Sequence, residues 1–193
     1  MQPLHITLIA VIVAFYTAYL TKQLLLKRQG IQGNRLGKGT KPKRTQRLEV
    51  ALAVGTFTMP LAQIGSLAWS ATHSPSVVPW YSWAGVAVAA AGTVLFTLAV
   101  VTMRGSWRAG VDASQHTQLV TSGIYRLSRN PAFAGFDLFY LGTTLAVPNP
   151  VLGMLTAALV VLFHLQIRNE ETFLLATFGS PYARYLKAVR RYL

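Results

Sequence analysis

Of the 193 residues, 52% are hydrophobic and 12% charged, with a mean hydropathy of +0.40; soluble domains of this size carry about twice that charge, roughly 25%. Eighteen Lys and Arg stand against five Asp and Glu, for a net charge of +13, and there is no cysteine. Disulfides, thiolate catalysis and cysteine metal centres are thereby excluded, no metal is expected, and the chain reads as an integral membrane protein.

Apolar runs near the length of a bilayer crossing predict a first span over about 4–26 and a second over about 48–71, with Pro60 as a kink in its middle. Between them, 29–43 holds four glycines and is expected to be a flexible loop. A third span covers about 80–103. Trp80, Tyr81 and Trp83 at its start suit a headgroup layer, and the small residues around Gly85 and Ala89 to Gly92 suit close helix approach. Two shorter runs, about 131–147 and 151–167, flank the turn Pro148-Asn149-Pro150 and are expected to form a spanning hairpin. Past Gly179, the spacing of Tyr182, Tyr185, Leu186 and Val189 predicts a short amphipathic helix lying on the membrane surface. The expected fold is all-α, with about five transmembrane helices, a cytoplasmic C-terminal pocket and this interfacial helix.

All the basic residues fall on one side of that arrangement. Eight Lys and Arg lie in 27–47, four in 104–130 and five in 168–193, with Lys22 near the end of the first span. The N-terminus, 72–79 and the Pro148 turn carry none. The positive-inside rule makes the basic side cytoplasmic, with the N-terminus outside and the C-terminus inside. Orientation and attraction to anionic membrane lipids account for the charge, so nucleic acid is not expected as a partner.

Polar and unusual residues gather on the basic side of the last 90 positions. Arg104-Gly105-Ser106-Trp107-Arg108 follows the third span and suits either an interfacial anchor or a contact to an anionic head group. Thr121-Ser122-Gly123 reads as a turn, and Asn130-Pro131 as a cap and first residue of the next helix. Glu170 and Glu171 stand side by side at a membrane boundary, where a pairing with Arg168 or the loop arginines is the plain structural reading.

Four short motifs in order, Gly123-Ile124-Tyr125, Arg129-Asn130-Pro131-Ala132-Phe133, Glu170-Glu171 and Phe178-Gly179-Ser180-Pro181-Tyr182, resemble the isoprenylcysteine carboxyl methyltransferase and phospholipid methyltransferase superfamily. The resemblance covers about 104–185. It implies a methyltransferase drawing on S-adenosylmethionine, held in a pocket of the C-terminal helices and not in a Rossmann domain. It divides the chain into three membrane helices (1–103) and a cofactor-binding region (104–193). The matching positions place Thr117, Gln118, Leu119, Val120, Tyr125, Asn130, Pro131, Ala132 and Phe133 around the cofactor, with Glu170 as its acidic contact. Asn130 stands where the family commonly has His and Phe133 where it has Tyr. Carboxyl methyltransferases of the superfamily carry an arginine about one turn before the acid; here that position is Gln166, with Arg168 two residues off.

A lipid-like or amphipathic acceptor bearing a carboxylate, amine or thiol is implied, since the pocket opens at the bilayer. Arg108, Asp137, Gln166 and Arg168 are positioning candidates, and Arg104, Arg108 and Arg168 are expected near the acceptor's polar end. Asp137 lies one turn after Phe133 and is expected on the same pocket; His164 shares a face with Arg168 and Glu171. The alternatives are a membrane NADPH-dependent reductase of sterol-type lipids, whose chains are generally longer, and a non-catalytic scaffold of the same fold.

Overall fold

The computed structural model describes residues 2–39, 41–73, 77–107, 109–110 and 118–192. Arg108 and Thr117, both singled out above, lie outside the described residues. Among the described residues the chain forms six helices: α1 (Pro3–Arg28), α2 (Lys43–His73), α3 (Trp80–Met103), α4 (Pro131–Ala146), α5 (Pro150–Phe178) and α6 (Ser180–Ala188), with short 3-10 turns at Arg104–Ser106 and Gly123–Arg126. Four helices, α1, α2, α3 and α5, are long and apolar enough to cross a membrane.

The hairpin of α4 and α5 is present, but its arms are unequal. Sixteen residues of α4 rise about 24 Å at 1.5 Å per residue, short of the roughly 30 Å hydrocarbon core. Its partner runs 29 residues, well beyond the expected end at Ile167, and carries Glu170 and Glu171 past the start of α4. Asn149 caps α5 through its side-chain oxygen, which accepts from Val151 N at 2.9 Å. α2 stays helical through Pro60.

Helices α3 and α4 are antiparallel and meet backbone to backbone. A Cβ added at Gly92 would lie 2.5 Å from Phe139 N, and one at Gly135 would lie 2.7 Å from Phe96 N. Gly85 faces the backbone of Ala146 and Gly142, and Gly142 faces that of Ala89. The small residues of α3 therefore do allow close approach, and α4 supplies the matching glycines. Phe15 of α1 stacks on Phe139 at 3.8 Å and touches Phe96 and Phe136, which ties the first helix to this pair.

At the end remote from the basic loops, His5 Nε2 and Ser70 Oγ are 3.0 Å apart. Mid-way, Tyr16 donates to Gln63 Oε1 at 2.8 Å, and Gln63 Nε2 donates to Thr143 Oγ1 at 3.1 Å. These bonds join α1, α2 and α4 in their remote half and leave the basic half of the α1–α2 gap open.

Three sequence expectations change. The 29–43 segment is built into the fold: Arg35 N donates to Ala109 O and Ala109 N to Gly33 O, both at 2.8 Å, a parallel bridge centred on Asn34. The aromatic stripe of α6 faces protein instead of lipid, with Tyr182 and Tyr185 buried and the Tyr185 hydroxyl donating to Tyr125 O at 2.6 Å. Asn130 occupies the N-cap position of α4 without capping it, because its side chain is engaged elsewhere.

Candidate functional site

The motif residues converge at the basic end of α4 and α5, and the two adjacent glutamates do different things there. Glu171 is buried and fully occupied. Its Oε1 accepts from Arg129 Nη2 at 2.8 Å and Nε at 3.1 Å, and its Oε2 accepts from Arg191 Nη2 at 2.7 Å and Nε at 3.0 Å. Both guanidinium groups thus use the fork geometry that suits a carboxylate. Arg129 also donates to the carbonyls of Leu186, at 3.1 Å, and Val189, and Asn130 Nδ2 donates to Arg191 O at 3.2 Å. One carboxylate therefore fastens the Arg129-Asn130-Pro131 turn to α5 and to the chain after α6. The expected alternative partner, Arg168, is exposed.

Glu170 is half-buried and far less engaged. Its Oε1 accepts from Gln166 Nε2 at 3.1 Å, and Oε2 takes no hydrogen bond among the described residues. Tyr125 is near it: burial first, then the neighbouring Tyr185 and Glu170, push the Tyr125 phenol well above its ordinary range. The Tyr185 phenol is pushed up to about 12, chiefly by burial. Both hydroxyls stay protonated and available as donors at neutral pH.

Gln166 connects this acid to another that the sequence reading missed. Its Nε2 also lies 3.4 Å from Oε1 of Glu49, which is completely buried at the start of α2. Glu49 pairs with Lys41 at 2.5 Å and accepts from Gly37 N at 2.8 Å. A signal existed, since Glu49 is the first acid in the chain, set where an apolar run begins, and a buried acid needs a partner.

A cavity of about 860 Å³ lies against these groups. Ala132, Phe133 and Phe136 of α4 and Phe163 and Gln166 of α5 form its inner wall, Asn34, Trp107 and Gly110 its base, and α1 and α2 its sides. Exposed Leu20, Val54, Phe57 and Leu61 rim it, so it opens laterally through the α1–α2 gap. Trp107 is buried against Tyr19 and Phe96, so it is a wall of the cavity and not a headgroup anchor.

The remaining candidates divide. Ala132, Phe133 and Gln166 meet on the cavity, while Tyr125, Asn130 and Pro131 are buried beside it. Leu119 and Val120 are half-buried and Gln118 exposed, in the extended stretch before the 3-10 turn. Asp137 is not on the cavity wall with Phe133; the helix turns Phe136 and Tyr140 inward instead. His164 Nδ1 is engaged with the Tyr192 hydroxyl at 2.6 Å. Arg104 and Arg168 are exposed and do not line the cavity, so the expected arginine cradle for the acceptor is not formed by these two.

An all-helical membrane protein with a buried polar cluster beneath a laterally open apolar cavity is the class that the fold and site define. A family model for phospholipid methyltransferases matches residues 80–181, and the chain belongs to that family. It is 34% identical over 113 residues to protein-S-isoprenylcysteine O-methyltransferase A of Arabidopsis thaliana, covering 57% of each chain. To the protein-S-isoprenylcysteine O-methyltransferase of Rattus norvegicus it is 32% identical over 116 residues, 58% of this chain and 40% of the rat protein. The match thus spans little more than half the length of these relatives.

Proposed function

We propose that the chain is an S-adenosylmethionine-dependent methyltransferase whose acceptor has an apolar body and enters from the bilayer. The observation that carries this reading is the junction at Gln166: one side of it is the lipid-facing cavity, the other the half-buried carboxylate of Glu170. S-adenosylmethionine supplies a methyl group on a sulfonium centre that is already a good leaving group, so the protein's task is alignment of the acceptor. The residues present fit that cofactor. Glu170 keeps one oxygen free for the cofactor's hydroxyl or ammonium donors, Tyr125 lies beside it, and Phe133 gives an aromatic wall. Glu171, Arg129 and Asn130 hold the surrounding turn in place. On this reading 104–193 is the cofactor-binding region, 1–103 is its membrane frame, and the two share the cavity.

Calorimetry with S-adenosylhomocysteine and with NADPH on the purified protein tests it. Binding of the first and not the second is expected, and the converse would replace methyl transfer by reduction. Glu170→Gln should weaken S-adenosylhomocysteine roughly ten- to a hundredfold, the usual effect of losing a charge-assisted hydrogen bond. Unchanged affinity in that variant would remove Glu170 from the cofactor site.

The same reading puts the basic end in the cytoplasm, where the positive-inside rule places it. A single cysteine introduced as Lys38→Cys is the only thiol in the chain. It should react with an impermeant maleimide only after the cells are opened; labelling of intact cells would invert the topology.

A further inference from the structure

Gln166 is 1% exposed and lines the cavity. Its two carboxylate neighbours determine which way its amide points. Glu49, paired with Lys41 and accepting from Gly37 N, is an acceptor only, so it must face the NH2 group. Glu170 faces the same group at 3.1 Å. The amide oxygen is therefore the atom left over, and it is buried with no hydrogen-bond partner. A buried acceptor without a donor costs about 1–3 kcal/mol, and here the apolar walls of the cavity provide none.

We infer that Gln166, held by Glu49 and Glu170, reads the acceptor's head group and selects one that donates a hydrogen bond, an amine, over a carboxylate. This rests on the methyl-transfer reading above and goes beyond it by naming the acceptor class. An ammonium or amine N–H satisfies the stranded oxygen. A carboxylate offers only lone pairs to a lone pair, with Glu49 and Glu170 behind the amide. No Lys, Arg or His is among the described residues that line the cavity. The relatives named above are O-methyltransferases, so the inference separates this chain from them at one residue.

The corresponding transfer balances simply. The ammonium sheds a proton to water, and the free amine's lone pair forms the new N–C bond to the methyl of the sulfonium donor. The S–C bond breaks with its pair remaining on sulfur, and the positive charge ends on the methylated nitrogen.

The test reads the cavity without any methyl donor. In a variant with Trp69, Trp80 and Trp83 replaced by phenylalanine, Trp107 on the cavity wall is the one indole left. Bromine-terminated dodecylamine and bromine-terminated dodecanoate, in neutral detergent, quench it on entry. The amine is expected to bind at least about tenfold tighter, as for a site built around a hydrogen bond. The overall charge of +13 would favour the acid, so surface attraction cannot produce that result. Gln166→Met, of similar volume and without the stranded oxygen, should abolish the preference. Equal or tighter binding of the acid, quenching by neither, or an amine preference kept in Gln166→Met would each overturn the inference. If the variant does not fold, the comparison in the protein with Gln166 intact still decides. Failure of the methyl-transfer reading is seen separately, as absent S-adenosylhomocysteine binding.

Discussion

Glu171→Ala should lower the melting temperature of the detergent-solubilised protein by roughly 10 °C, corresponding to about 3 kcal/mol for a chain of this size. Removing one partner of a buried ion pair leaves the other charge without compensation, at about 3–5 kcal/mol. Here two arginines lose their partner, although Arg191 is partly exposed and can turn to water while Arg129, at 9% side-chain exposure, cannot. The damage should be directional. Arg129 and Asn130 link α4 and α5 to the backbone of 186–191, so proteolysis should cut first after α6. S-adenosylhomocysteine affinity should fall with the fold and recover at low temperature. In Glu170→Gln the pattern reverses, with affinity lost and the melting temperature kept. If Glu171→Ala melts like the parent protein, the two-arginine clamp does not stabilise the fold.

That split between adjacent acids marks the limit of the sequence reading. Helices, their order and the one-sided charge were legible because composition and the length of apolar runs report burial in lipid directly. The motif residues were legible as a group, and the structure does bring Ala132, Phe133 and Gln166 to one cavity. What each acid touches was not legible, because Arg191 and Glu49 are 20 and 122 positions from their partners in the cluster at Glu171 and 170–171, and no local spacing encodes such pairings. Trp107, Arg168 and the α6 tyrosines were misjudged for a related reason. Trp, Arg and Tyr at a helix end suit a lipid headgroup or a protein wall equally well, and only the tertiary fold chooses. The 29–43 loop was misjudged because glycines signal conformational freedom, yet Gly37, at φ +69°, uses that freedom to turn its N–H onto Glu49.

The largest effect on folding is expected from Gly142→Leu. In α3–α4 packing the backbone itself is the contact surface: a Cβ at 142 would meet the Ala89 main chain and the Gly85 carbonyl, neither of which can rotate away. Lipid tails are as apolar as the helix surfaces, so helix association in a membrane depends on such close van der Waals contact. Overpacking a tight core typically costs about 1–3 kcal/mol and occasionally more. A leucine between two backbones belongs at the upper end, since relief requires moving α4 bodily. That movement would carry Ala132 and Phe133 with it, at the other end of the same helix, and so would disturb the cavity wall. The expected outcome is little or no monodisperse protein from Gly142→Leu. Gly153→Leu serves as the control, because a Cβ there has only the Thr144 side chain within reach, at 3.9 Å. Size-exclusion profiles of the two variants decide it. If Gly142→Leu elutes and melts like Gly153→Leu, then α3 and α4 are not joined through their backbones, and the frame that holds the site must be sought in the aromatic contacts of Phe15, Phe96 and Phe139 instead.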